Sequence, residues 1–91
     1  MQIQIQIRYF ASLREALGSG ETLVLDADEA GAVPLTVGAL RDRLIARGGA
    51  HAEVLARGRA LRAALNQTMC AETVALADGA EVAFFPPVTG G

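Results

Sequence analysis

The sequence predicts an α+β fold in which one long helix covers one face of a mixed sheet of about five strands. Three observations point to this class: polar–apolar alternation at the start of the chain, one long segment with helical spacing in the middle, and a β-rich segment near the end. The 91 residues suffice for one domain with one core, but not for a catalytic domain with its own deep cleft. Because a single amphipathic helix covers only one sheet face, we expect the opposite face to stay open.

The first part of the chain is predicted to contain two strands with a short helix between them. Residues 2–9 alternate polar and apolar side chains with period two, as expected for a half-buried strand. The spacing becomes helical over residues 11–17, and a Gly-Ser-Gly sequence then ends the helix. Residues 21–26 are rich in Thr, Leu and Val and predict a second strand, followed by a loop over residues 28–34.

The main helix is predicted to begin after Thr36, a suitable N-cap. Apolar residues then recur at intervals of three and four until Gly48 and Gly49 end the pattern. Residues 51–57 are ambiguous and could form a short helix. Short strands are predicted over residues 60–67 and 73–76.

A strong last strand is predicted over residues 81–85, after an Asp-Gly turn. The order of two strands, a long helix and further strands that lead into an extended end matches the β-grasp, or ubiquitin-like, arrangement. We therefore expect residues 1–85 to form a β-grasp domain and residues 86–91 to form an extended C-terminal tail.

Side-chain parity predicts which large apolar residues lie on the open face. If the isoleucines of the first strand face the helix, Phe10 shares the parity of the glutamines and should point outward. One of the adjacent residues Phe84 and Phe85 must also face away from the core. Exposed aromatic side chains often mark a docking surface, although single exposed apolar residues are common as well.

The end of the sequence is the most informative segment. Pro86 and Pro87 cannot continue a sheet interior and hold the chain extended, so the tail should project. Gly90 and Gly91 carry no side chains and can pass through a channel only as wide as the backbone. A terminal carboxylate on such a tail can be delivered into the active site of another protein.

Composition excludes several classes of partner. The net charge of −2 and the pI of about 5.2 provide no basic footprint for nucleic acid or an anionic membrane. A single cysteine, Cys70, rules out an intrachain disulfide, and neither a signal peptide nor a membrane span is recognisable. We therefore expect a cytoplasmic protein that binds neither nucleic acid nor membrane.

The remaining reactive side chains do not form a catalytic set. His51 is expected to be a surface or loop residue, and Cys70 a small apolar residue, because no neighbour in sequence would lower the pKa of its thiol. Asp26, Asp28 and Glu29 lack the spacing of a calcium loop, so we expect a solvated acidic loop and no metal site.

All eight basic residues are arginine. Arg41, Arg43 and Arg47 are expected on or near the surface of the main helix, where Arg47 suits the negative end of the helix dipole. The absence of lysine would prevent self-conjugation through side-chain amines, but genomic base composition explains it more simply.

Four segments resemble the small subunit of molybdopterin synthase, a family of ubiquitin-related sulfur carriers. They are residues 8–15 (Arg-Tyr-Phe-Ala-Ser-Leu-Arg-Glu), 66–68 (Asn-Gln-Thr), 78–85 (Asp-Gly-Ala-Glu-Val-Ala-Phe-Phe) and 86–91 (Pro-Pro-Val-Thr-Gly-Gly). The ending is the most specific part, since a bare Gly-Gly is shared with ubiquitin-like modifiers and with thiazole-synthesis sulfur carriers. These two functions therefore stay open as alternatives.

The resemblance implies a function for Gly91, preceded by Gly90. An E1-like enzyme would adenylate Gly91 with ATP, and sulfur from a persulfide donor would convert it into a thiocarboxylate. The large synthase subunit, in a heterotetramer of two small and two large subunits, would transfer this sulfur to cyclic pyranopterin monophosphate during molybdenum cofactor biosynthesis. Catalytic residues are expected on the large subunit, and no permanently bound cofactor is expected on this chain.

The resemblance also implies which residues bind these partners. They are Phe10, Met69 and Phe85 on the open face, and Pro86, Pro87, Val88 and Thr89 in the tail.

Overall fold

The computed structural model describes residues 2–26 and 36–87. The predicted loop over residues 28–34 and the predicted tail residues Val88, Thr89, Gly90 and Gly91 therefore lie outside the described residues.

The described chain forms one mixed sheet and three helices. The sheet order is β2-β1-β5-β3-β4, with β1 and β5 parallel and the other neighbours antiparallel. The predicted five-stranded mixed sheet is thus confirmed. The elements are β1 (Gln2–Tyr9), α1 (Ala11–Leu17), β2 (Gly20–Asp26), α2 (Val37–Ile45), α3 (Gly49–Val54), β3 (Arg62–Leu65), β4 (Thr68–Cys70) and β5 (Glu81–Phe85).

The core lies between one face of the sheet and the helices. Along β1, Ile5, Ile7 and Tyr9 are buried while the intervening Gln6 and Arg8 are exposed, as the alternation predicts. On the helical side, α2 contributes Leu40 and Leu44, both fully buried. Burying side chains of this size contributes about 2 kcal/mol each, so this one-sided core is the main source of stability. No helix in the described part of the chain is long and apolar enough to cross a membrane.

The N-terminus of α2 is capped by Thr36, as predicted, and by a second segment that was predicted to be a strand. Thr36 Oγ1 accepts a hydrogen bond from Ala39 N at 3.0 Å, while Val37 N and Gly38 N donate to the carbonyls of Val74 and Glu72 at 3.0 and 2.8 Å. The prediction of a strand over residues 73–76 is wrong. The segment makes only an isolated bridge, between Ala75 and Thr36, and the carbonyl of Val74, together with that of Glu72 just before the segment, satisfies helix N–H groups that would otherwise lack partners.

The strand predicted over residues 60–67 is observed over residues 62–65 as β3, the first strand of a tight hairpin. Asn66 and Gln67 have positive φ values of 50° and 70° and join β3 to β4, a strand that the sequence analysis missed. Positive φ at both central residues is typical of a two-residue hairpin turn whose twist matches its strands. The sequence contains a signal for this turn, because asparagine adopts positive φ values more readily than most residues.

Arg41 corrects the prediction that it lies at the helix surface. The residue is only 3% exposed, and its side chain donates to three backbone carbonyls, those of Leu55 (2.8 Å), Ala56 (2.6 Å) and Arg59 (3.1 Å). It also pairs with Glu72 at 2.8 Å. A guanidinium group has five N–H donors, so one side chain fixes the whole loop after α3.

The helical spacing already contained this information. Arg41 lies four residues after Val37 and three before Leu44, on the buried stripe of α2. Arg41 was predicted to be exposed because it is charged, although its position in the helical spacing indicates burial. Arg43, by contrast, is exposed as predicted.

Arg47 and Glu21 form a bidentate ion pair that joins the end of α2 to β2. Two nitrogens of Arg47 contact the two carboxylate oxygens of Glu21 at 2.7 and 2.8 Å. Hydrogen bonding from Arg47 lowers the pKa of Glu21 from its ordinary value of 4.5, against the opposing effect of partial burial. His51, predicted to be a surface or loop residue, is half-buried on α3, with its Nε2 atom 3.8 Å from the same carboxylate.

We predict that replacing Arg41 with alanine lowers the free energy of unfolding by about 2–4 kcal/mol, because three buried or half-buried carbonyls lose a charged donor and Glu72 loses one of its two arginine partners. Urea denaturation followed by circular dichroism measures this. Arg43→Ala, an exposed change on the same helix, is the control and should stay within about 0.5 kcal/mol of the parent chain. Equal losses in the two variants would contradict the role assigned to Arg41.

A second prediction concerns acid stability. Since the pKa of Glu21 is lowered in the fold, the stabilisation is present above the pKa of the unfolded chain and is lost as the pH falls through the lower folded value. Glu21→Gln should therefore lower stability at pH 7 by about 0.5 kcal/mol, the size of a partly exposed ion pair, and the difference should shrink toward pH 2. Urea midpoints measured across this range test it against Glu53→Gln, an exposed control. A difference that is constant with pH would refute the linkage.

Candidate docking surface and the base of the tail

The open face of the sheet carries an apolar groove beside the end of β5. We call it the open-face groove; its volume is about 640 Å³. Within the described residues no helix packs on this face. The groove is lined by Arg8, Phe10, Ala11, Ala64, Gln67, Glu81, Ala83, Phe85 and Pro86.

Strand register brings these residues together. Ala83 on β5 lies opposite Arg8 on β1 and opposite Ala64 on β3, and Ala64 lies opposite Met69 on β4. The two alanines form a shallow floor because their side chains are short. The alternation along β5 places Ala83 on the same face as Phe85, but it does not by itself predict that Ala64 of β3 completes the floor.

The large apolar side chains predicted for the open face lie there. Phe10 is 45% exposed and Met69 is 59% exposed, whereas Phe84 is only 1% exposed and belongs to the core. Phe85 is half-buried on the outer side. The parity prediction is therefore confirmed for Phe10 and assigns Phe85 as the outward member of the phenylalanine pair.

The backbone fixes the position of Phe10. Its N–H group donates to the carbonyl of Phe84 at 3.2 Å, which extends the contact between β1 and β5 by one residue. Ala11 follows with a φ value of 54°, in the left-handed region that costs a non-glycine residue about 1 kcal/mol. This turn starts α1 and leaves the Phe10 ring in the wall of the groove.

Polar groups at the rim of the groove are balanced in charge. Arg8 Nε lies 3.3 Å from Glu81 Oε2. Asn66 closes the same edge, because its N–H donates to the carbonyl of Glu81 at 2.8 Å and its Oδ1 accepts from Glu81 N at 3.0 Å. These bonds attach the β3–β4 turn to β5 and hold Gln67 beside the groove.

The tail begins at this surface. Pro86 and Pro87 follow β5 directly and are half-buried, and Pro86 contributes to the groove wall. Of the predicted partner-binding residues, the structure brings Phe10, Phe85 and Pro86 together in one groove and places Met69 on the same face. A protein that binds the groove is therefore also positioned to receive the segment that follows Pro87.

Cys70 has the environment of a structural residue. It is half-buried and packs against the core, and burial raises the pKa of its thiol. The thiol is therefore protonated at neutral pH, in agreement with the prediction that it is not a nucleophile.

This architecture defines a β-grasp protein, with a mixed sheet, helices packed on one face and a C-terminal strand at the centre. A model of the ThiS family matches residues 7–91. Since this match spans most of the sequence, the chain belongs to the ThiS family, and the resemblance found in the sequence is confirmed.

One relative resembles the chain over nearly its full length. The molybdopterin synthase sulfur carrier subunit of Escherichia coli (strain K12) is 45% identical over 87 residues, which cover 96% of this chain and 99% of the relative.

Two solved structures support the fold. The crystal structure of SAMP1 from Haloferax volcanii is 30% identical, with a TM-score of 0.67 over 97% of this chain and 99% of that one. Subunit 1 in a complex of subunits 1 and 2 of the molybdopterin-converting factor from Helicobacter pylori 26695 has a TM-score of 0.60, covering 98% of this chain and 100% of that one. Its identity of 22% makes this a likeness of fold alone.

Stability measurements test the assignment of Phe84 to the core and of Phe10 to the open face. Phe84→Ala should lower the free energy of unfolding by about 3–5 kcal/mol because it empties a core position, whereas Phe10→Ala should cost about 1 kcal/mol or less. Urea denaturation of both variants gives the comparison. A large loss for Phe10→Ala would mean that its ring supports the fold instead of a docking surface.

Proposed function

We propose that this chain is the sulfur carrier subunit of a molybdopterin synthase, with the α-carboxyl group of Gly91 as the carrier. The principal support is the geometry at the end of β5, where Phe10, Phe85 and Pro86 form one surface at the base of the tail. The 45% identity to a named sulfur carrier subunit supports the same function.

The chemistry follows from the properties of a carboxylate. A free α-carboxylate, with an ordinary pKa of about 3.5, is ionised at neutral pH and is a poor electrophile. It attacks the α-phosphate of ATP in the active site of an E1-like enzyme, pyrophosphate leaves, and an acyl-adenylate forms. The outer sulfur of a persulfide (R–S–S⁻) then displaces AMP and gives an acyl disulfide. A thiol of the activating system cleaves the S–S bond, forms a disulfide with R–S and releases the thiocarboxylate at Gly91.

The thiocarboxylate is the reagent for the second step. In the large synthase subunit its sulfur forms a C–S bond with cyclic pyranopterin monophosphate. Water then hydrolyses the acyl–sulfur bond, so that the sulfur stays on the pterin and Gly91 returns to a carboxylate. A dithiolene contains two sulfur atoms, so two charged tails are consumed for each molybdopterin. The chain supplies the tail and the docking surface, while the large subunit supplies the catalytic residues.

The same surface serves both partners, because the tail that it presents must enter both active sites. The complexes with the adenylating enzyme and with the large subunit are therefore mutually exclusive. The 45% identity to a molybdopterin synthase sulfur carrier subunit supports a large-subunit partner. We expect an assembly of two small and two large subunits. The reaction takes place in the cytoplasm, and this chain keeps no bound cofactor.

Intact mass spectrometry tests the carrier role. After incubation with the cognate adenylating enzyme, ATP and a persulfide source, the chain should gain the mass of one oxygen-to-sulfur exchange, located at Gly91 by fragmentation. Deletion of Gly91 should abolish the gain without changing the urea midpoint, because residues after the last strand contribute little to the core. An unchanged mass in a system that thiolates another carrier would reject the proposal.

A second function has a specific observation in its favour. The chain is 30% identical to SAMP1, one of the small archaeal modifier proteins. A protein modifier would join its activated tail to lysine amines of target proteins by isopeptide bonds. Immunoblots of cell extract distinguish the two functions, since a pure sulfur carrier leaves no covalent adducts.

A further inference from the structure

A second groove lies on the other side of the tail base. We call it the side groove; it has a volume of about 250 Å³ and lies between α1, the end of α3 and the segment before β3. Pro86 lines both this groove and the open-face groove. The side groove is lined by Ser12, Leu13, Val54, Arg59, Ala60, Leu61 and Pro86.

Arg59 is the charged group of this groove. It lies on the exposed surface, and its side chain makes no hydrogen bond or ion pair with any residue in 2–26 or 36–87. The other side chains lining the groove, apart from Ser12, are apolar. The site thus offers one cation at the edge of an apolar recess, within a chain whose net charge is −2.

The backbone of Arg59 is held in place, although its side chain is exposed. Its carbonyl accepts a hydrogen bond from the buried Arg41 at 3.1 Å, and its N–H donates to the carbonyl of Ala56 at 2.9 Å. Arg41 also fixes Leu55 and Ala56, so the loop reaches the tail base in one conformation. A fixed loop loses less conformational entropy when a partner binds it.

We propose that the partner surface that receives the tail continues past Pro86 into the side groove and places a carboxylate on Arg59. The occupant is a protein segment with an acidic side chain next to apolar ones, at the mouth of the channel that the tail enters. This proposal rests on the proposed function, and it adds a contact to the surface formed by Phe10, Met69 and Phe85.

Two arguments favour this occupant. Pro86 lines both grooves. A partner that surrounds the base of the tail therefore contacts the side groove as part of one continuous interface. Guanidinium and carboxylate groups match in geometry, and such pairs at interfaces set orientation and association rate.

Site-specific photo-crosslinking tests the contact. A benzoylphenylalanine probe replaces Ala60 in the side groove, Phe10 in the open-face groove, or Arg43 on the exposed side of α2, each in the full chain mixed with the cognate large subunit. The proposal expects crosslinks from positions 60 and 10 and none from position 43. A crosslink from position 10 without one from position 60 overturns the proposal and leaves the open-face contact intact.

Charge variants test the carboxylate. We expect Arg59→Glu to weaken binding to the large subunit by about tenfold at low salt, Arg59→Lys to stay within about threefold, and Arg43→Glu to leave the dissociation constant unchanged. Because only the side chain changes, the bond from Arg41 to the Arg59 carbonyl remains, and urea midpoints confirm folding. Equal effects of Arg59→Glu and Arg43→Glu would show general charge steering and would overturn the specific pair.

These outcomes are separate from a failure of the proposed function. If the parent chain gains no sulfur and the variant with the probe at position 10 does not crosslink, both proposals fall together. If the parent chain gains sulfur and binds the large subunit while Arg59→Glu binds equally well, only the side-groove proposal falls.

Discussion

The rest of this structure depends on the pairing of β5 on both of its edges. β5 lies at the centre of the sheet, parallel to β1 and antiparallel to β3, so its backbone is hydrogen-bonded on both sides. Val82 and Phe84 are essentially fully buried and anchor it to the helices. The segment that leads to the C-terminus therefore leaves a strand that is paired on both edges and anchored in the core, which gives the tail a fixed origin.

The two faces of β5 have different functions. Its inward side chains contribute to the core, and its outward side chains, Ala83 and Phe85, contribute to the open-face groove. Small floor residues and a left-handed turn at Ala11 leave the Phe10 ring exposed beside this floor. The chain thereby keeps apolar surface in contact with water, an arrangement that favours association with a partner over the stability of the isolated domain.

Much of this could be predicted from the sequence, because it depends on periodicity. The alternation in β1 gave the inward and outward faces, Thr36 marked the start of α2, and parity placed Phe10 outside. The prolines after Phe85 mark the end of the last strand. Each of these features follows from local geometry that a few neighbouring residues determine.

The features that were missed depend on contacts between distant segments. Residues 73–76 have strand-like composition, but the carbonyls of Glu72 and Val74 accept hydrogen bonds from the start of α2 instead. The helical spacing places Arg41 on the buried stripe of α2, but the three carbonyls that accept its hydrogen bonds belong to the loop after α3, which no pattern within α2 reveals. β4 has three residues, too few for a reliable alternation, and the side groove exists because α1, α3 and Pro86 converge in space.

The most direct test of the central claim is a single-turnover experiment with radioactive sulfur at the C-terminus of the chain. The labelled chain is mixed with the cognate large subunit and cyclic pyranopterin monophosphate, and the location of the label is followed over time. The account predicts that the label leaves the chain and appears in the pterin product, while the chain returns to its carboxylate form. Label that stays on the chain, or that is released as sulfide while the chain becomes joined to another protein, would contradict it.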